Sequence, residues 1–181
     1  MQKISPFLWF DGNAEEAVNL YVSIFDDAKI TLISRYPEGS PGPAGDVMSM
    51  TFQLEGQEFL ALNGGPQFTF TQAISFLVHC ETQEEVDRLW DQLSEGGERQ
   101  QCGWLVDRFG LSWQIIPNVL GELLGGSDPE GAQRAMQAML QMGVPVLLLL
   151  PGSGRGAYPR LGQLARVAAP GVERRAAAGA A

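Results

Sequence analysis

The chain has 181 residues, 45% of them hydrophobic, which is enough for one domain, or one domain with an appendage, around a substantial core. Its net charge of −9, and a main body without Lys and Arg clusters, argue against nucleic acid and anionic membranes as partners. No signal-peptide pattern opens the chain, and the longest apolar run, residues 146–150, is much too short to span a bilayer. These features predict a cytoplasmic protein without a membrane partner.

The first elements are a strand and a helix. Residues 3–10 (KISPFLWF) have the composition of a strand, and Asn13 and Glu16 are placed as the N-cap and the capping-box residue of a helix. The apolar face of this helix consists of Val18, Tyr21, Val22 and Phe25. That face predicts the side on which the helix packs.

Three strand-like runs follow the helix. They are Lys29 to Tyr36, Val47 to Leu54 and Glu58 to Asn63. A loop rich in Pro and Gly, residues 37–46, separates the first two, and residues 55–57 make a hairpin turn between the last two. The order so far is βαβββ.

The same order then begins again. Ala73 to Cys80 is a strand, and Thr82 to Glu85 is a second capping box, opening a helix. Strand material follows at residues 98–101, 103–106 and 111–117. Val18 and Val86 occupy matching helix positions, so the pattern predicts an internal duplication of a βαβββ unit.

The last two strands flank a tight turn at residues 107–110, where Gly110 supplies a positive φ. Side chains alternate along the strand that follows. Ser112, Gln114 and Ile116 are therefore expected on one side, and Leu111, Trp113 and Ile115 on the other. This places a polar amide, that of Gln114, in an otherwise apolar strand.

Two helices are predicted next, at residues 119–125 and 129–142, the second opened by Asp128 and Pro129. Residues 143–181 are different in kind. Within residues 144–181 five Arg stand against Glu173 alone, whereas residues 1–143 hold 7 Lys and Arg against 20 Asp and Glu. We expect residues 143–181 to be an atypical, disordered basic tail, which a shifted reading frame would explain. The alternative is that this basic tail binds a partner.

Three strings carry a resemblance to a known family: FDGNAEEAVNLYVSIF, NGGPQFTFTQAISFLVHCETQEEVDRLWDQL and GWLVDRFGLSWQIIP. They resemble the PhnB-like branch of the glyoxalase/bleomycin-resistance/dioxygenase (vicinal oxygen chelate, VOC) superfamily, often labelled demethylubiquinone methyltransferase-like, over residues 2–142. The resemblance implies an α+β fold in which two paired βαβββ units form a half-open barrel, followed by C-terminal helices.

Metal-using members of this superfamily hold a divalent ion with four His, Glu or Gln side chains from the first and last strands of each unit. Carried over by position, the four places fall near Pro6, near Ala61 or Asn63, near Ser75 and at Gln114. Gln114 alone is a plausible ligand, since Pro and Ser cannot replace imidazole or carboxylate. We therefore predict no metal and no other cofactor.

The candidate ligand-binding residues are Trp9, Asn63, His79, Trp104 and Gln114. The aromatic rings would line an apolar cup, and the amides of Asn63 and Gln114 would orient the ligand. His79 is either a hydrogen-bonded structural histidine near a strand end or an acid or base in the cavity. Cys80, the next residue, should point to the opposite face of the strand. The glycines at 64 and 65 fit either a close approach of backbone to ligand or a simple linker turn.

The leading hypothesis for function is a metal-independent small-molecule binding protein, acting as a homodimer. The alternative is a divalent-metal-dependent lyase, isomerase or dioxygenase-like enzyme of the same superfamily, and a third reading is a dimeric interaction scaffold. The methyltransferase label is disfavoured, because no G-x-G-x-x-G turn follows a predicted strand to hold a nucleotide-type methyl donor.

Overall fold

In the part of the chain that the structure describes, eight strands and four helices form in the order that the sequence predicts. The computed structural model describes residues 2–125 and 127–141, so the predicted tail, residues 143–181, lies outside the described residues. The elements are β1 (Phe7–Phe10), α1 (Ala14–Ile24), β2 (Ala28–Arg35), β3 (Val47–Leu54), β4 (Gln57–Asn63), β5 (Phe76–Cys80), α2 (Gln83–Leu93), β6 (Glu98–Arg99), β7 (Trp104–Val106), β8 (Ser112–Pro117), α3 (Asn118–Gly125) and α4 (Pro129–Gln141). No helix among these described residues is long and apolar enough to cross a membrane.

The two sheets have the same strand order. The first is β1-β4-β3-β2 and the second is β5-β8-β7-β6, so each βαβββ repeat places its last strand beside its first. Within the first sheet β1 runs parallel to β4, while β3 is antiparallel to both β4 and β2. This confirms the α+β class and the internal duplication, and each sheet is open, with two edge strands.

Contacts divide the chain into two compact units. The first comprises the residues up to Phe76 together with Asp91–Glu98 and Leu105–Trp113. The second comprises Leu77–Trp90, Arg99–Trp104 and the described residues from Gln114 onward. The complete first sheet and α1 therefore belong to the first unit, along with the turn between β7 and β8.

The first sheet has two unlike faces. One, here called the helix face, packs against α1 and is buried; it includes Leu8, Phe10, Met50, Phe52, Phe59 and Ala61. The other, here called the open face, is half-buried or exposed; it includes Phe7, Trp9, Ser49, Thr51, Leu60 and Leu62. The strand register assigns these sets, because directly paired residues project on the same side.

Aromatic rings form the centre of the first unit. Tyr21 of α1 stacks on Phe52 at 6.4 Å between ring centroids, and Phe52 stacks on Phe59 at 5.3 Å. Trp113 lies 5.3 Å from Tyr21 and 5.7 Å from Phe25, in an arrangement favourable to aromatic pairs. Burying each such ring contributes about 1.5 to 3 kcal/mol, so this cluster is a principal source of stability.

The N-terminus of α1 is capped differently from the prediction. Asn13 precedes the helix, but its side chain makes no capping hydrogen bond. The backbone N–H of Ala14 instead donates to Oδ1 of Asn63 on β4, at 2.9 Å. An amide from the neighbouring strand thus satisfies one of the unpaired N–H groups that every helix start exposes.

The capping box of α2 forms as predicted, with one difference. Oγ1 of Thr82 accepts from the N–H of Glu85 at 3.1 Å, which is the expected half of the box. The Glu85 carboxylate, however, accepts from the N–H of Glu81 at 2.8 Å, one residue before the N-cap. The side chains of Thr82 and Glu85 therefore each accept a hydrogen bond from a backbone N–H group at the start of α2.

Candidate functional site

Trp9 is the predicted site residue whose surroundings the structure defines most fully. Its half-buried indole lies on the open face of β1, and Nε1 donates to the carbonyl of Gly65 at 2.8 Å. A Cβ at position 64 would overlap the indole ring, so glycine is required there for Trp9 to pack. The sequence allowed for a close approach of the backbone at Gly64 and Gly65 to a ligand. In the structure, the group that the backbone of Gly64 approaches closely is the Trp9 ring.

Two phenylalanines from the connection between the repeats pack on β1. Phe68 meets Trp9 edge-on, with 5.0 Å between ring centroids and planes at 81°. Phe70 meets Phe10 in the same manner at 5.2 Å and 71°. Because Trp9 lies on the open face and Phe10 on the helix face, the connection contacts both faces of the same strand.

The open face around Trp9 is uncharged. Leu62 is paired with Trp9 and with Ser49, and Leu60 is paired with Phe7 and with Thr51. Phe7 is 56% exposed, so the apolar surface continues to the edge of the sheet. Near Trp9 such a face can hold an apolar ligand and offers the hydroxyls of Ser49 and Thr51, whereas Gln53, Glu58 and Lys29 lie further along the same face.

Asn63 lies on the helix face, opposite Trp9, since it is paired with Phe10. Besides accepting from Ala14, its side-chain amide donates to the carbonyl of Val47 at 2.9 Å. Both ends of the amide are thus engaged in holding α1 and β3. A ligand-binding role for Asn63 stays a prediction, and the structure adds a capping role that the sequence reading did not anticipate.

A polar cleft of about 490 Å³ lies beside Asn63, at the N-terminal end of α1. Its lining includes Asp11, Glu15, Arg35, Tyr36, Asp46 and Asn63. The Arg35 guanidinium is 3.1 Å from the Glu15 carboxylate and donates to the carbonyl of Gly45 at 3.0 Å. The charged groups in this cleft distinguish it from the apolar cup that the sequence predicts.

The other three predicted site residues belong to the second compact unit, on three adjacent strands. Gln114 on β8 is half-buried like Ile116, whereas Trp113 and Ile115 are buried, so burial alternates as predicted from Trp113 to Ile116; Ser112, at the start of the strand, is buried. Trp104 on β7 is half-buried beside the buried Leu105. His79 on β5 is exposed.

Cys80 points away from His79, as the strand alternation predicts. Its side chain is fully buried, while His79 is exposed. Burial raises the pKa of the Cys80 thiol to about 12, and the negative charge of Glu85 adds to this effect. A thiol in this state is not a nucleophile at neutral pH, so the pair does not form a Cys-His site.

The residues present do not fit the metal site of the superfamily. Gln114 comes four residues after Gly110, and the residue four after the matching hairpin glycine, Gly56, is Leu60. The corresponding place in the first repeat is therefore apolar, and the positional estimate of Ala61 or Asn63 is wrong because both face α1. Within residues 2–125 and 127–141, no group of three or more His, Cys, Asp or Glu side chains is arranged to hold a metal ion.

Asp107 is an important residue that the sequence reading missed. It is 3% exposed, and its carboxylate accepts four hydrogen bonds. Oδ1 accepts from the N–H groups of Phe109 and Leu111 at 2.9 and 3.0 Å, and Oδ2 accepts from the Tyr21 hydroxyl and Trp113 Nε1 at 2.7 and 2.9 Å. An aspartate at the start of a turn commonly accepts hydrogen bonds from backbone N–H groups of that turn, so the sequence could have predicted the two bonds of Oδ1. The two bonds of Oδ2 depend on tertiary structure.

Comparison with known proteins gives a consistent family. The model of the family described as 3-demethylubiquinone-9 3-methyltransferase matches residues 2–116. The PhnB protein structure from Bacillus cereus is 44% identical, with a TM-score of 0.61, covering 64% of this chain and 99% of that one. A Pseudomonas aeruginosa structure is 24% identical, with a TM-score of 0.54, covering 64% of this chain and 96% of its own, and supports the fold alone. No curated protein matches the sequence.

Proposed function

The chain belongs to the PhnB-like family described as 3-demethylubiquinone-9 3-methyltransferase, within the VOC superfamily, and we propose that it binds an uncharged, mainly apolar small molecule without a metal ion. The observation that carries this proposal is the open face of the first sheet. Trp9 is held there by its hydrogen bond to Gly65, among the apolar side chains of Leu62 and Phe7.

A fixed aromatic ring on an apolar face is well suited to ligand binding. Its orientation is set before the ligand arrives, so little conformational freedom is lost on binding. The hydroxyls of Ser49 and Thr51 lie on the same face and supply the few polar contacts that give a ligand its orientation. Asn63, His79, Trp104 and Gln114 remain predicted ligand residues, each to be tested by its own substitution.

The side chains at the predicted metal-ligand positions support a protein that binds its ligand without a metal ion. Metal-using members of this superfamily hold the ion with several imidazole or carboxylate ligands, whereas the places carried over by position supply Gln114 and no imidazole or carboxylate. A single neutral amide is a weak ligand on its own. We therefore favour a binding protein over the lyase, isomerase or dioxygenase-like alternative.

The family description does not lead us to propose methyl transfer. A nucleotide-type methyl donor is usually held by a glycine-rich turn between a strand and a helix of a doubly wound parallel sheet. Here β1 and α1 are joined by the residues DGN, and the first sheet is mixed, with only β1 and β4 parallel. The first sheet therefore offers no such turn for a methyl donor.

The test is a thermal-shift screen of the whole chain against small aromatic and carbonyl compounds, followed by calorimetric titration of the hits. A compound that binds only the folded protein raises its melting temperature. Trp9→Ala should weaken binding of a hit at least about tenfold, since a buried aromatic contact is lost. Trp9→Phe should retain most of the affinity, and Ile4→Ala, at a residue 86% exposed, serves as the control. Equal affinity for wild type and Trp9→Ala would refute this site.

A further inference from the structure

The segment that covers Trp9 is weakly attached to the sheet. Residues 66–69, between Gly65 and Phe70, are all exposed; residues 66 and 67 form a turn, and within the described chain no hydrogen bond joins these four residues to the sheet. The contact of this segment with the sheet is the edge-on packing of Phe68 against Trp9. Phe68 itself is 64% exposed, so most of its ring faces solvent.

The two ends of this segment are fixed. At one end the N–H groups of Gly64 and Gly65 lie 3.0 and 3.3 Å from the carbonyl of Phe10, and Gly65 has a φ of 92°. At the other end Phe70 is half-buried against Phe10, and a Cβ at Gly110 would be 3.9 Å from its ring. The carbonyl of Gly65 also accepts from Trp9 Nε1 at 2.8 Å, so Gly65 is held to β1 and any movement of the segment begins after it.

We propose that residues 66–69 form a flap and that Phe68 is a removable cover for Trp9. In the closed arrangement the Phe68 ring makes the edge-on contact seen in the structure. In the open arrangement the flap swings away between Pro66 and Phe70, while Gly65 keeps its hydrogen bond to Trp9, and the Trp9 ring becomes accessible to a ligand. This inference rests on the ligand site proposed above, and it deepens that proposal by naming the ligand class.

The ligand class follows from what Phe68 contributes. A ligand that displaces Phe68 must replace an uncharged aromatic ring packed edge-on against an indole, so the structure favours an uncharged aromatic compound. Beyond the apolar area that it buries, an edge-on contact between such rings favours the closed arrangement by a factor of about 2 to 10, and with Phe68 64% exposed the buried area adds only modestly to this. The open arrangement is therefore populated before ligand arrives, and opening is expected on the microsecond to millisecond timescale of loop motions.

The flap can be tested without any ligand, by ¹⁵N relaxation dispersion on the tryptophan indole groups of the whole chain. Trp9→Phe identifies the Nε1 signal of Trp9. In wild type this signal should show exchange broadening, since the Phe68 ring moves on and off the indole. Phe68→Ala should abolish the broadening, because no ring remains to move. Phe70→Ala, at the anchoring end, should leave broadening at Trp9 present.

Two results would overturn the flap: a Trp9 signal without exchange in wild type, or exchange that persists unchanged in Phe68→Ala. A hit from the ligand screen gives a second readout, because Phe68→Ala should bind an aromatic compound about 2 to 10 times more tightly when no ring must be displaced. The two proposals fail separately. Exchange at Trp9 with binding unaffected by Trp9→Ala refutes the site alone, whereas binding that needs Trp9 without exchange refutes the flap alone.

Discussion

The hydroxyl of Tyr21 donates a 2.7 Å hydrogen bond to Oδ2 of Asp107, which is 86 residues away in sequence. Both side chains are buried, Tyr21 fully and Asp107 to 3% exposure. The bond joins α1 to the turn between β7 and β8, and the same carboxylate also holds Trp113 in the aromatic cluster. A buried carboxylate is tolerated here because four donors replace its lost hydration.

Asp107→Asn should destabilise the protein by about 1 to 3 kcal/mol, since one of its oxygens becomes an NH₂ group facing donors. Tyr21→Phe should cost less, because the carboxylate keeps its other three donors. The measurement is urea-induced unfolding of each variant. Glu16→Gln, whose carboxylate is 64% exposed and pairs with Arg108, is the control and should change stability by less than about 0.5 kcal/mol. Equal stabilities of wild type and Asp107→Asn would contradict this account.

Asn63, and not Asn13, supplies the side-chain acceptor at the start of α1, so substitutions at these two asparagines should differ in their effect on stability. Asn63→Ala should destabilise the protein by about 1 to 3 kcal/mol, because Ala14 loses its acceptor and the bond to Val47 is lost. Asn13→Ala, at the conventional cap position, should cost little, since its side chain makes no capping bond. Thermal unfolding of both variants decides the matter, and the reverse order of stabilities would show that Asn13 caps the helix.

The extent to which the sequence predicts this structure depends on the range of the interactions. The bounds of β3, residues 47–54, follow from local alternation and the Gly56 turn, and they match the prediction. The role of Asn63 was missed because its partner, Ala14, is 49 residues away. For the same reason Ala61 was taken as a ligand position: the face of β4 is fixed by pairing with β1 and β3, which local pattern does not give.

The buried thiol of Cys80 predicts a pH dependence. Burial raises its pKa from 9.0 to about 12, so in the unfolded chain the thiol ionises at lower pH than in the folded protein. The unfolded state then holds fewer protons, and stability that is complete below pH 9 should be lost as the pH rises towards 12. Chemical unfolding from pH 8 to 11 should show this decline, with a smaller decline in Cys80→Ala. Identical pH profiles for the two proteins would rule out the thiol as its source.

The homodimer predicted from the sequence has a definite surface to test. Strand β2 is an edge of the first sheet, and Leu32 and Ile33 on it are 57% and 41% exposed. Unpaired edges with apolar side chains invite pairing with another chain. Light scattering at micromolar concentration should give twice the 19.6 kDa chain mass, and Leu32→Lys should lower it. A monomer mass for wild type would contradict the prediction.

Metal content is the direct test of the proposed independence from metal. Protein purified without chelator should contain zinc, nickel, iron and manganese far below one ion per chain, because the positions carried over from the superfamily supply the neutral amide of Gln114 and no imidazole or carboxylate. Adding each ion should leave the melting temperature unchanged, since an ion that binds the folded state would raise it. If an ion does bind in stoichiometric amount, Gln114→Ala tells whether it uses the superfamily position. Loss of the ion in that variant would support the metal-dependent enzyme in place of a metal-independent binding protein.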